Sequence, residues 1–394
     1  MKNFRILIAL AFIFCALSSL PASLASASDQ MKPPQKNTLV FFGTYTDGAS
    51  KGIYTYKFDS KDGRLEPLSD TNGGIKNPSF LAIHPDGEFL YAVSEVGEID
   101  GKPGGTLWAY SIDPETGKLS FINKQSTAGS GPCFVALDKT NKIALVANYD
   151  SGSVSSFALN ADGSIAEASS QIQHKGSSID PARQTAPHAH SINGSPDNRF
   201  ALAADLGLDK ILIYKLDQKT AQLKTGDKEF NKTPEGGGPR HLFFHPNGHY
   251  VYVCNEMQSS VSAYQYNAED GSMSLLQTIS TTPGEIAGNS TAEIQIHPSG
   301  KFAYCSNRGH DSIAIFKIDE STGKLTTIGH AKTMGKKPRH FCIDPSGSFI
   351  IACNQASNNV IVFKIDKTTG NLTQIGDTIE LPSPVCVKFL EIGQ

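Results

Sequence analysis

Two arginines, a histidine and a glutamate stand out from a repetitive chain of 394 residues. His190 and Arg240 hold the same position in consecutive repeats, and Glu256 and Arg308 hold a second one. Other repeats place Ser79, Cys133, Ala292 and Val385 at the first position, and Tyr45, Tyr149 and Leu206 at the second. The repeat itself therefore does not require charge there. Guanidinium groups grip carboxylates and oxyanions through paired N–H donors, and a neutral imidazole or a carboxylate can take a proton from water. Gathered around a concave site, the four suit an anionic or oxygen-rich small ligand. His188 and His190 alternate along a strand, and Glu256 would complete a metal set with them, but the arginine charges oppose a cation. No metal and no other cofactor is expected. The chain has no P-loop and no nucleophile elbow, and its G-x-G stretches fall in turns with no helix after them.

The element that must position these residues is the repeat. It consists of a short apolar strand, a turn, a second strand with a polar end, and two further strands around D-x-x-T-G-x-L. The first turn reads HPDG from His84, DKTN from Asp138, SPDN from Ser195, HPNG from His245, HPSG from His297 and DPSG from Asp344. A period of about 50 residues with turn-forming Pro, Asn, Asp and Gly is that of a four-stranded propeller blade. Six turns give six blades. The segments TLVFFGTY, GIYTYKF and GRLEPL near the start supply strands two to four of another, and SPVCVKFL at the end supplies only strand one. The fold expected is all-β, a seven-bladed β-propeller closed by pairing the C-terminal strand with the N-terminal blade. Such closure leaves no unpaired inner edge.

The antiparallel order of strands one and two brings the start of one and the end of the other to the same face, around one mouth of the central channel. There His190, Arg240, Glu256 and Arg308 are candidate catalytic residues, with Glu95, Tyr149, Asn255, Asn307, Arg339 and Gln355 as candidate substrate contacts. For the ring of Thr44, Ser94, Asn148, Asp205, Asn255, Asn307 and Asn354, turn stabilisation competes with binding, because such side chains readily bond nearby backbone. His84, His245 and His297 recur at the turn and read as structural.

Lys2 and Arg5, the apolar run from Ile6 to Leu20 and Ala25-Ser26-Ala27 form a secretory signal, with cleavage expected after Ala27. Residues 28–37 read as a flexible leader, and 38–394 as the propeller. The mature chain would work in the periplasm or be secreted. Losing Lys2 and Arg5 leaves 33 bases against 38 acids, a charge of −5, which argues against a nucleic acid or an anionic membrane as partner. No protein partner is inferable. Six cysteines remain after cleavage, mostly in apolar strands where Cys fills core, with a Cys342–Cys386 bridge as the alternative.

The chain resembles the seven-bladed propeller lactonases, which include bacterial 6-phosphogluconolactonase and a fungal carboxymuconate cyclase. The resemblance is carried by PHAHSINGSPDNR (187–199), GGGPRHLFFHPNG (236–248), VCNEMQSSVSAY (253–264), SNRGHDSIAIF (306–316) and KPRHFCIDPSG (337–347). It implies hydrolysis of a sugar lactone, or in the fungal branch ring opening and closure by proton transfer. By motif, the residues proposed for that branch fall on His190, Arg240, Glu256 and Arg308. The resemblance and the export signal together suit an unphosphorylated aldonolactone as the small-molecule substrate. A non-catalytic envelope binding propeller and a muconate-type cycloisomerase are the alternatives.

Overall fold

The computed structural model describes residues 37–71, 74–99 and 101–392; the signal segment, most of the leader and the last two residues lie outside them. Seven antiparallel four-stranded sheets are arranged around a ring. Blade I contains Asn37–Thr44, Tyr54–Phe58 and Leu65–Asp70, and its innermost strand is Pro384–Ile392 from the other end of the chain. That strand pairs along the whole of Asn37–Thr44, with Leu39 opposite Leu390 and Phe41 opposite Lys388. Blades II to VII begin on Leu81–Ile83, Pro132–Leu137, Ala189–Gly194, Pro239–Phe244, Ser290–Ile296 and Pro338–Ile343. These innermost strands pack side by side around the ring, and blade I sits between blades VII and II.

The second strands are the most deeply buried, as wholly apolar runs should be. Ile143–Asn148, Phe200–Asp205 and Phe349–Asn354 are buried at every position. Outer strands such as Leu119–Ser126 alternate instead.

The recurring turn histidine has a structural cause. Nε2 of His245 donates to the Gly300 carbonyl at 2.8 Å, and Nε2 of His297 donates to the Gly347 carbonyl at 2.8 Å. Each thus latches its turn to the same turn of the next blade. Gly347 has a φ of +66°, and a Cβ there would lie 2.6 Å from His297 Nε2, so glycine is favoured at this position on both counts. Tyrosines of the second strands make a parallel set of latches. Tyr91, Tyr252 and Tyr304 donate to the carbonyls of Gly163, Gly323 and Gly370 in the following blades.

On the ring axis, Phe80 of blade II stacks at 4.4 Å on Phe134 of blade III and meets the edges of His241 and His340 from blades V and VII. Residues of non-adjacent blades can touch only there, so the channel is plugged by rings. All six described cysteines are free thiols, Cys342 and Cys386 included, and five are buried.

Candidate active site

Irregularities in the sheets aim the site residues. In blades III, IV, V and VII the ladder between strands one and two skips one residue, and the skipped residues are Cys133, His190, Arg240 and Arg339. A bulge leaves its residue unpaired and re-aims the side chain, here toward the axial mouth or the layer beneath it. The residues at the ends of the second strands are held by a repeated backbone bond. The N–H groups of Glu95, Tyr149, Glu256 and Gln355 donate to Asn77, Gly131, Gly238 and Lys337.

Together these residues enclose a cavity of about 340 Å³ to which every blade contributes. Tyr45, Glu95, Cys133, Tyr149 and His190 line it from blades I to IV, and Glu256, Arg308 and Arg339 line it from blades V to VII. Arg183, from the long connection between blades III and IV, completes it.

Glu256 is the electrostatic centre. Its Oε2 forms ion pairs with Arg240 Nε at 3.0 Å and Arg308 Nη2 at 2.9 Å, and its Oε1 accepts a hydrogen bond from Arg183 Nη2 at 2.9 Å. Burial opposes ionisation of this carboxyl, but Arg308 and Arg240 outweigh it and hold the group well below the usual carboxylate range. Arg308 carries the opposite strain. Burial and the like charges of Arg240 and Arg339 press it down to about 10, despite Glu256. Arg339 has no ion pair among the described residues; its guanidinium lies 5.4 Å from the centre of the Tyr45 ring.

His190 is buried beside Arg240, and both facts favour the neutral imidazole. Its Nδ1 lies 3.7 Å from Cys133 Sγ. Beneath it on the axis, Glu293 Oε2 is hydrogen-bonded with His241 Nδ1 at 2.8 Å and lies 3.2 Å from His340 Nε2. Burial keeps His241 and His340 neutral as well, and pushes Glu293 up to about 8.

These shifts make stability depend on pH. Each imidazole has a folded pKa below its unfolded value of about 6.5. Unfolding therefore takes up protons below that pH, and stability falls as pH falls. Glu293 acts in the opposite sense, binding the extra proton in the fold between about 4.3 and 8. Three imidazoles outnumber one carboxyl, so the melting temperature is expected to drop between pH 6.5 and 5. His340→Asn should flatten that drop in a thermal-melt series; an equal slope in wild type and variant would refute the assignment.

The sequence-derived site residues divide by position. His190, Glu256, Arg308, Glu95, Tyr149 and Arg339 share the cavity. Arg240 does not line it. At 2% exposure it lies behind Glu256, where it also donates to the Ala292 carbonyl. Asn255 and Asn307, expected as substrate contacts, are fully buried and do not line the cavity. Asn255 Nδ2 donates to Ser260 and Ser262 at 2.9 Å, and Asn307 is paired twice with Thr281 at 2.7 Å. Gln355 lies outside this cavity, in an adjoining hollow of about 500 Å³ that shares Arg308 and Arg339 as a wall.

Sequence reasoning missed Arg183. It follows an Asp180 turn whose carboxylate accepts from the Ala182 and Arg183 N–H groups, and its side chain spans from Tyr149 Oη at 3.0 Å to Glu256. The available signal was the extra length of residues 174–188, which has no counterpart in the other repeats and emerges on the face of the site.

The family model "Lactonase, 7-bladed beta-propeller" matches residues 39–389. The chain belongs to this lactonase family. It is 38% identical over 352 residues to the 6-phosphogluconolactonase of Bacillus subtilis, covering 89% of this chain and 97% of that one. It is 37% identical over 308 residues to the 6-phosphogluconolactonase of Formosa agariphila, covering 77% and 86%. Among solved structures, the periplasmic gluconolactonase of Pseudomonas aeruginosa superposes with a TM-score of 0.84 at 32% identity, covering 91% of this chain and 99% of that one.

Proposed function

We propose that this protein hydrolyses an unphosphorylated aldonolactone outside the cytoplasm and does so without a metal ion. The observation that carries the reading is the surplus of positive charge in the cavity. Glu256 is already shared by three guanidiniums, Arg308 is pressed down by its like-charged neighbours, and Arg339 has no ion pair among the described residues. Such a site lacks one anion. Lactone opening supplies it twice, first as the tetrahedral oxyanion and then as the product carboxylate. The same surplus repels a metal cation.

The cavity volume lies in the range of small-molecule sites, at about 300–1,000 Å³. Arg339 and Arg308 would face the carbonyl oxygen, while His190, neutral and beside Tyr149, would offer a hydrogen bond to sugar hydroxyls. The N-terminal signal and the periplasmic relative support the location, and the location supports the unphosphorylated substrate.

Purified protein should open glucono-δ-lactone well above its spontaneous rate, with or without a chelator, and NMR of the product should show the free acid. No excess over the spontaneous rate with any aldonolactone would refute the reading, and a rearranged lactone would assign the site to cycloisomerisation. Arg339→Gln is expected to lower kcat/KM by about 100- to 1,000-fold, the usual effect of losing one oxyanion donor, and to weaken inhibition by the product aldonate. Steady-state kinetics with added gluconate would measure both.

A further inference from the structure

The cavity holds two carboxylates, and they are in opposite situations. Glu256 is ion-paired to three guanidinium groups, one at Oε1 and two at Oε2, and is held as a stable anion. A carboxylate so stabilised by three neighbouring cations is a weak proton acceptor. Glu95 faces the same cavity from blade II and has no ion pair among the described residues. Among the described residues its side chain has one hydrogen-bond partner, Tyr45 Oη, which lies 3.0 Å from each of its two oxygens. One O–H shared by two oxygens leaves most of the roughly four lone-pair sites of a carboxylate unfilled. The neutral imidazole of His190 has lost basicity to burial and to Arg240, so it is a poor competitor.

We propose that Glu95 is the general base of the reaction, positioned by Tyr45, and that Glu256 is the anchor of the arginine cluster rather than the base. The assignment rests on the lactone-hydrolysis reading. In the forward step Glu95 takes a proton from water, whose oxygen bonds to the lactone carbonyl carbon. The carbonyl π pair moves onto oxygen, facing Arg339, which stands next to Tyr45 and so next to Glu95. Collapse of the tetrahedral intermediate breaks the bond between the carbonyl carbon and the ring oxygen. That oxygen leaves with the electron pair and takes the proton back from Glu95. The carboxylic acid product then ionises to solvent, and Glu95 is restored. The backbone that carries this side chain is held from both sides. The Glu95 N–H donates to the Asn77 carbonyl at 3.0 Å, and Asn77 Nδ2 donates back to the Glu95 carbonyl at 3.2 Å.

The test compares wild type, Glu95→Gln, Glu95→Ala and Tyr45→Phe on glucono-δ-lactone. General-base catalysis is worth about 10²- to 10⁴-fold. Glu95→Gln is therefore expected to lose at least 100-fold in kcat with KM changed less than about threefold. Added formate should restore part of the rate of Glu95→Ala, which a merely structural role would not allow. Tyr45→Phe should lose less than Glu95→Gln. Wild-type activity with Glu95→Gln within threefold of it would overturn the base assignment and leave the lactonase reading standing. So would a loss in Glu95→Ala that formate does not relieve while the circular dichroism spectrum stays native. A wild type inactive on all aldonolactones would overturn both.

Discussion

Deleting residues 384–392 should abolish the cooperative fold. The segment supplies the whole innermost strand of blade I and contacts the innermost strands of blades VII and II. Val385, Val387 and Leu390 are buried in it, and it covers Leu39, Val40, Phe41 and Phe42 on the partner strand. Burying a side chain of that size is worth about 1.5–3 kcal/mol, so the three lost residues and their uncovered partners amount to a domain's usual net stability, about 5–15 kcal/mol. The deletion also bares the hydrogen-bonding edge of Asn37–Thr44, a template for pairing with another chain. The expected outcome is aggregation on size exclusion and loss of a sharp melting transition. A milder variant grades the effect: Leu390→Ala should cost about 2–5 kcal/mol by cavity formation and leave the ring closed. A monomeric deletion variant that melts within a few degrees of wild type would show that the ring does not need its seventh inner strand.

This closure was legible from the sequence because it is a counting problem. Six complete repeats, one missing its first strand at one end and a lone first strand at the other, have one economical solution. The candidate site was legible to the extent that function broke the repeat. His190, Glu256, Arg308, Glu95 and Arg339 stand where other blades carry Ser, Cys, Ala, Val, Leu or Tyr. What the repeat could not reveal is depth. Arg240 and Arg339 occupy the same bulge in blades V and VII, yet one lies behind Glu256 and the other lines the cavity, because only blade V has a carboxylate at the end of its second strand within reach. Asn255 and Asn307 likewise share a ring position with residues that could face a ligand, but two serines of blade V bond the first, and Thr281, just past the outer strand of blade V, bonds the second. Arg183 belongs to no repeat position, so superposing blades could not find it. The bulges were invisible for a related reason: they exist only in the pairing register, where strand one carries one residue more than its partner can match.

The second large effect is expected at Glu256, and it concerns stability as much as rate. Glu256→Gln keeps the shape and removes the charge, leaving Arg240 and Arg308 buried with no counter-ion. Breaking a buried ion pair from one side costs about 3–5 kcal/mol, and two guanidiniums depend on this carboxylate. The cost should vary with pH in a definite direction. The folded pKa of Glu256 is depressed, so its stabilising contribution is complete above the unfolded value of about 4.3 and is lost as pH falls through that value toward the folded one. Denaturant melts of wild type and Glu256→Gln should therefore differ by several kcal/mol at pH 7 and converge as the pH is taken below about 4. Activity should fall at least 100-fold at every pH, because Arg308 and Arg183 lose the anion that orients them, and formate should not restore it. That last point separates an anchor from a base. If formate were to rescue a Glu256→Ala variant whose stability matched wild type, Glu256 would have to be reinstated as the proton acceptor and Glu95 returned to a binding role.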